Sequence, residues 1–134
     1  MADTKKISLP IIGTEQGHAE APKTRAQGGD IMSEIAAEVA ANKVVLYMKG
    51  TMDQPMCGFS QRAAMILEQY NVPVYAVNVL ADQEKREAIK VFSDWPTIPQ
   101  VYVDGEFLGG SDILLEMHQS GQLKQVIDAA FGAK

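Results

Sequence analysis

In "DIMSEIAAEVAANK" the apolar residues Ile31, Ile35 and Val39 fall four apart, and Asp30 or Ser33 is placed to cap, so this stretch is predicted to be an amphipathic helix. "KVVLYMK" follows as a short apolar, β-rich run, the pattern of a strand buried on both faces. Gly50 to Met56 interrupt it, and helical spacing resumes from Gly58 to Tyr70 through Ala63, Ile66 and Leu67. "VPVYAVNV" reads as a second strand, and "DQEKREAIKVFSDW" as a charged surface helix with Ile89 and Phe92 inward. In "IPQVYVDGEFLGG", Val101, Val103 and Phe107 alternate around Asp104-Gly105, a strong hairpin signal. Ser111 is then expected to cap a helix over "DILLEMHQSG", and a last amphipathic piece runs from Gln122 to Phe131. The resulting order, β-α-β-α-β-β-α behind an opening helix, predicts an α/β fold with a mixed sheet flanked by helices in two or three layers.

Residues 1–30 show neither a period of 2 nor one of 3.6 and read as a flexible N-terminal tail, leaving residues 31–134 as one domain. The tail lacks the apolar core of a signal peptide, and no stretch is long enough to span a membrane, so secretion is not expected. Lys5, Lys6, Lys23 and Arg25 suggest an organellar presequence, but Asp3, Glu15 and Glu20 speak against one. With 12 basic against 17 acidic residues the formal charge is -5, so nucleic acid and anionic membranes are not expected partners.

The chain holds a single cysteine, Cys57, which excludes an internal disulfide and a self-contained four-thiolate metal site. Cys57 stands where a strand-loop-helix unit turns into its helix, and there unpaired N–H groups and the positive end of the helix dipole favour thiolate over thiol. A reactive cysteine is therefore preferred over a buried inert one. Gly58 would let another molecule approach the sulfur, or is simply a flexible helix start. Lys49 either adds positive charge near the thiolate or is an ordinary solvated lysine. Pro99, in "WPTIPQ", either forms a cis bond after Ile98 at a sheet end beside the thiol or makes a rigid turn. "GGSD" is either a helix cap or a seat for an anion, with Asp112 placed to receive an amine. Trp95 is read as packing under the proline turn. The two histidines, His18 and His118, have no second ligand at metal spacing, and Asp82, Glu84 and Glu87 read as a solvated helix face.

Taken together, "MKGTMDQPMCGFS" and "WPTIPQVYVDGEFLGGSDI", in this order and spacing, resemble the monothiol glutaredoxins of CGFS type over residues 31 to 131. The resemblance implies a thioredoxin-like (glutaredoxin) fold with a four-stranded mixed sheet and glutathione bound beside the thiol. It implies that Lys49 and Arg86 bind the glycyl carboxylate of glutathione, and that the backbone of Ile98, before cis Pro99, pairs with its cysteine. Ser111 and Asp112 would receive the γ-glutamyl end, while Gly58, Phe59 and Ser60 complete the signature around Cys57. Many relatives carry cysteine where this chain has Ser111, so a second thiol that could pair with Cys57 is missing here.

A 2Fe-2S cluster takes four thiolate ligands. The resemblance implies that two protomers supply one Cys57 each and that two bound glutathiones supply the rest, making a cluster-bridged homodimer. It further implies cluster transfer in iron-sulfur assembly and iron homeostasis, with apo iron-sulfur proteins and a BolA-like protein as partners. The alternative is a glutathione-dependent thiol-disulfide oxidoreductase with Cys57 as catalytic nucleophile, expected to be weak at most. The compartment implied is bacterial cytoplasm, the mitochondrial matrix or another organelle.

Overall fold

The structure, a computed structural model, describes residues 19–20 and 30–132. Its elements are β1 (Ala19–Glu20), α1 (Ile31–Ala41), β2 (Val44–Met48), α2 (Gly58–Glu68), β3 (Tyr75–Asn78), a 3-10 turn (Val79–Ala81), α3 (Gln83–Ser93), β4 (Gln100–Val103), β5 (Glu106–Gly109), α4 (Ser111–Ser120) and α5 (Gln122–Ala130). β3, β2, β4 and β5 lie side by side in that order and form the expected four-stranded mixed sheet. β2 pairs parallel with β3 and antiparallel with β4, and β4 pairs antiparallel with β5. The two-residue β1 adds parallel to the outer edge of β3, inside the stretch read as tail; residues 1–18 and 21–29 of that stretch lie outside the described residues.

Strand alternation sorts the core into two halves and settles the number of layers as three. In β2 the side chains of Val44, Leu46 and Met48 join one cluster with Ala63 and Leu67 of α2, Leu114 of α4, and Leu123 and Ile127 of α5. Val45 and Tyr47 join the other, with Ile35 and Val39 of α1 and Ile89 of α3. The whole of β2 is buried, as its continuous apolar run demands.

Local signals end the elements where the sequence puts them. Asp30 caps α1, its carboxylate accepting the Ser33 N–H at 3.1 Å. Asp82 caps α3 in the same way through the Lys85 N–H. Asp104 and Gly105 turn the hairpin with φ of 52° and 84°, the two positive values that a type I′ turn requires. The cap of α4 differs from expectation. Gly110, not Ser111, is the N-cap, because its carbonyl already accepts the first helical bond from the Leu114 N–H at 2.9 Å. Ser111 is the first residue of the helix, with its hydroxyl buried.

The charged run of α3 hides a buried lysine. Lys85 is 1% exposed, and its Nζ lies 2.5 Å from a Glu34 carboxylate oxygen and 2.6 Å from one of Glu38. The other Glu38 oxygen accepts the Tyr47 hydroxyl at 2.8 Å. Burial alone would push the Lys85 ammonium toward losing its proton, but hydrogen bonds and charge from Glu34 and Glu38 outweigh it, so its pKa is raised. The network clamps α3 to α1 and to the central strand. Removing one member of such a cluster leaves a buried charge uncompensated, so Lys85→Met is expected to cost about 3 to 5 kcal/mol of stability, measured by urea unfolding. The apolar replacement of the buried members, Lys85→Leu with Glu38→Leu and Tyr47→Phe, which leaves only the partly exposed Glu34 carboxylate, is expected to recover most of that loss.

Candidate functional site

Cys57 is the N-cap residue of α2, with extended backbone at φ −160° and ψ 146°. Its position is fixed by the connection from β2. Gly50 turns at φ +97°, where a Cβ would come within 2.4 Å of the Gln54 carbonyl oxygen, so the loop closes only around a glycine. The Met56 N–H then donates back to the Lys49 carbonyl at 2.8 Å, and the Gly50 N–H donates to the Asn78 side chain at 2.9 Å. From the helix side, the fully buried Ser60 hydroxyl accepts the Lys49 N–H at 3.0 Å.

The sulfur closes no cap hydrogen bond of its own, yet its surroundings make it acidic. Burial pushes the thiol up, and this is more than offset by the backbone N–H groups of Ser60 and Phe59, the Ser60 hydroxyl and the positive charge of Lys49, so the Cys57 pKa is lowered. The thiol is half-buried, and Gly58 next to it has open space where a side chain would stand. Met56 and Phe59 on either side are 65% and 57% exposed.

Beside the thiol runs a groove of about 440 Å³. Lys49, Phe59, Arg86, Ile98, Pro99, Ser111 and Asp112 line it, seven of the residues expected at the site, and the Ile98-Pro99 bond is cis. Cys57, Gly58 and Ser60 are not in its wall; they form the corner from which Phe59 enters it. Lys90, Trp95, Pro96, Thr97, Gly110 and Ile113 complete the lining. Of these, Lys90 was not anticipated, although it follows Arg86 by four residues and so shares its helix face. Trp95 does more than pack under the turn: it stands in the groove wall while its ring meets Phe107 edge-on at 5.6 Å.

Five buried side-chain polar atoms among the described residues have no hydrogen-bond partner, and three of them, Arg86 Nε, Trp95 Nε1 and Ser111 Oγ, belong to groove-lining residues. Unpaired buried donors cost free energy unless a ligand or water pairs with them, so their concentration here marks a polar binding site. Lys49, Arg86 and Lys90 give it positive charge, and Asp112 is the carboxylate in its wall. No group of three or more His, Cys, Asp or Glu side chains among the described residues could hold a metal ion.

A thiol at a helix start, a cis proline and a cationic groove on a three-layer α/β frame are the parts of a glutaredoxin, and residues 44–108 match the Glutaredoxin family model. The solution structure of reduced poplar apo GrxS14 has the same fold, with a TM-score of 0.67 at 44% identity over 75% of this chain and 93% of that one. A Synechocystis protein named as an uncharacterized monothiol glutaredoxin, ycf64-like, is 50% identical over 71% of this chain and 89% of its own length. Monothiol glutaredoxin-S15, mitochondrial, of Arabidopsis thaliana is also 50% identical, over 73% of this chain but 58% of its own length. The chain belongs to the monothiol glutaredoxins. It spans little more than half of the Arabidopsis relative, and no helix among the described residues is long and apolar enough to cross a membrane.

The thiol's acidity has a direct readout. The thiolate is the nucleophile, so the rate of Cys57 alkylation by iodoacetamide is expected to fall as pH drops through a midpoint below that of free cysteine. Ser60→Ala and Lys49→Gln each remove an influence that lowers the pKa and are expected to move that midpoint up.

Proposed function

We propose that this chain binds glutathione in the groove and, as a homodimer, carries a 2Fe-2S cluster as cargo for delivery to apo-proteins. The observation that carries the reading is one thiol of lowered pKa, two residues from groove-lining Phe59, next to a groove whose lining includes three residues with an unpaired polar atom and three cationic side chains. Glutathione suits such a groove: it has two carboxylates for the cations and the unpaired donors, one ammonium for Asp112, and a thiol to set beside Cys57. Lys49 and Arg86 take the glycyl carboxylate, the backbone of Ile98 pairs with the ligand's cysteine, and the start of α4 at Ser111 and Asp112 takes the γ-glutamyl end.

Cluster chemistry needs four thiolates, and each protomer offers only Cys57. One glutathione bound to each of two protomers completes the set. Phe59 and Met56, exposed around the sulfur, provide apolar surface where two such corners meet. Ser60 and Lys49 favour the Cys57 thiolate, the form that ligates. A BolA-like partner would use the same cluster-bearing face.

A second reading draws on the acidity of Cys57. Its thiolate attacks the glutathione sulfur of a protein mixed disulfide, releasing the protein thiolate, and a second glutathione then resolves the Cys57-glutathione bond as glutathione disulfide. In this reading Cys57 is the catalytic residue and the same groove binds the glutathione that is transferred to it.

Anaerobic reconstitution with iron and sulfide, with and without glutathione, separates these readings. The expected result is a coloured dimer that requires glutathione and is lost in Cys57→Ser. A colourless monomer under all conditions, together with rapid Cys57-dependent turnover of a glutathionylated protein, would establish thiol exchange instead. For the groove itself, Arg86→Ala is expected to weaken glutathione binding by about 1 to 3 kcal/mol in calorimetry, the worth of one charge-assisted contact.

A further inference from the structure

Arg62 lies outside the groove lining, yet it touches two residues that form the groove wall. Its Nη1 donates to Asp112 Oδ1 at 3.1 Å, and its guanidinium sits over the Phe59 ring at 5.9 Å from the centroid. Both side chains are open to solvent, Arg62 at 41% and Asp112 at 86% exposure. An ion pair this exposed adds little to the stability of the fold, so its position matters more than its strength.

The pair bridges α2 and α4 at one end of the groove and uses only part of each group. Asp112 keeps its second carboxylate oxygen for another donor. Arg62 has five N–H donors in a planar fork, most of which are left after one contact with Asp112. A negative and a positive group fixed side by side complement a molecule that carries an ammonium and a carboxylate on one carbon.

We propose that Arg62 and Asp112 together read a zwitterionic α-amino-acid head, Asp112 accepting the ammonium and Arg62 donating to the carboxylate. The inference rests on glutathione binding in the groove and deepens it: the head group is the γ-glutamyl α-carbon, and Arg62 is an additional binding residue for it. Phe59 keeps the guanidinium at the groove edge through the cation-π contact. The groove thereby favours ligands with a free amino-acid head over truncated or blocked peptides.

The test compares two ligands by calorimetry on the full chain: glutathione, and an analogue in which a γ-aminobutyryl group replaces the γ-glutamyl residue, keeping the ammonium but lacking the α-carboxylate. Wild type is expected to prefer glutathione by about fivefold, the scale of an exposed charge-assisted contact. Arg62→Gln is expected to bind both ligands alike while keeping the affinity for the analogue, and Arg62→Lys to restore part of the preference. If Arg62→Gln keeps the full preference, the N–H groups at the start of α4 read the carboxylate and the assignment falls. Equal weakening of both ligands in Arg62→Gln would make Arg62 a brace between α2 and α4 only and would also overturn it. Failure of wild type to bind either ligand would instead remove the glutathione reading, and the role of Arg62 with it.

Discussion

The chemistry of the molecule turns on one buried hydroxyl. Ser60 sits in the first turn of α2 with no exposure and accepts the N–H of Lys49, the residue just after the central strand. That bond ties the start of α2 to the end of β2 across the loop that carries the thiol. The same hydroxyl and the Ser60 N–H favour the Cys57 thiolate, as does the charge on Lys49. One serine thus positions the sulfur and helps to ionise it. Gly50 is the matching constraint on the loop, since any side chain there would collide with the Gln54 carbonyl.

The groove depends on a second, more distant device. Its cationic side rests on α3, which carries Arg86 and Lys90. Lys85, the neighbour of Arg86, points the other way into two carboxylates of α1. A helix held from behind by buried charges cannot slide without exposing them, so the groove cations stand on a fixed base. The third side of the groove comes from the segment before β4 and the start of α4, where Trp95 and Ser111 bury polar atoms without partners. The protein accepts that cost in its free form, which a ligand rich in acceptors removes on binding.

The sequence makes the framework legible because each element announces itself locally. Asp30, the unbroken apolar run of β2 and the Asp104-Gly105 turn are each specified within a few residues of their own effect. The position of Cys57 at a helix start is equally local, and so is the argument for its acidity. What could not be read depends on residues far apart in the chain. Lys85 belongs to a run of charges that looks solvated, and only the packing of α3 on α1 puts Glu34 and Glu38 around it. A local sign did exist: Lys85 precedes Ile89 by four residues and therefore shares its inward face. The cap at Ser111 was misplaced by one residue because Gly110 satisfies the first helical bond through its backbone, which no side chain reveals. Arg62 is silent for a different reason, since its partner Asp112 lies fifty positions away.

A single thiol in a well-built site imposes a particular kind of binding. Four-thiolate sites made by one chain hold metal through covalent anchors alone, and such sites release it slowly. Here each chain contributes one sulfur, and on the proposed reading every other ligand is a small molecule held by ion pairs and hydrogen bonds at a solvent-open groove. Those contacts are individually weak and sensitive to competition, so any incoming thiolate can replace a glutathione without breaking the protein's own bond to the metal. Ser111 reinforces this arrangement, because a hydroxyl at that position can neither form a disulfide with Cys57 nor compete as a thiolate ligand. On the proposed reading, the features that keep the site from completing a cluster alone are therefore those that would allow it to give one away.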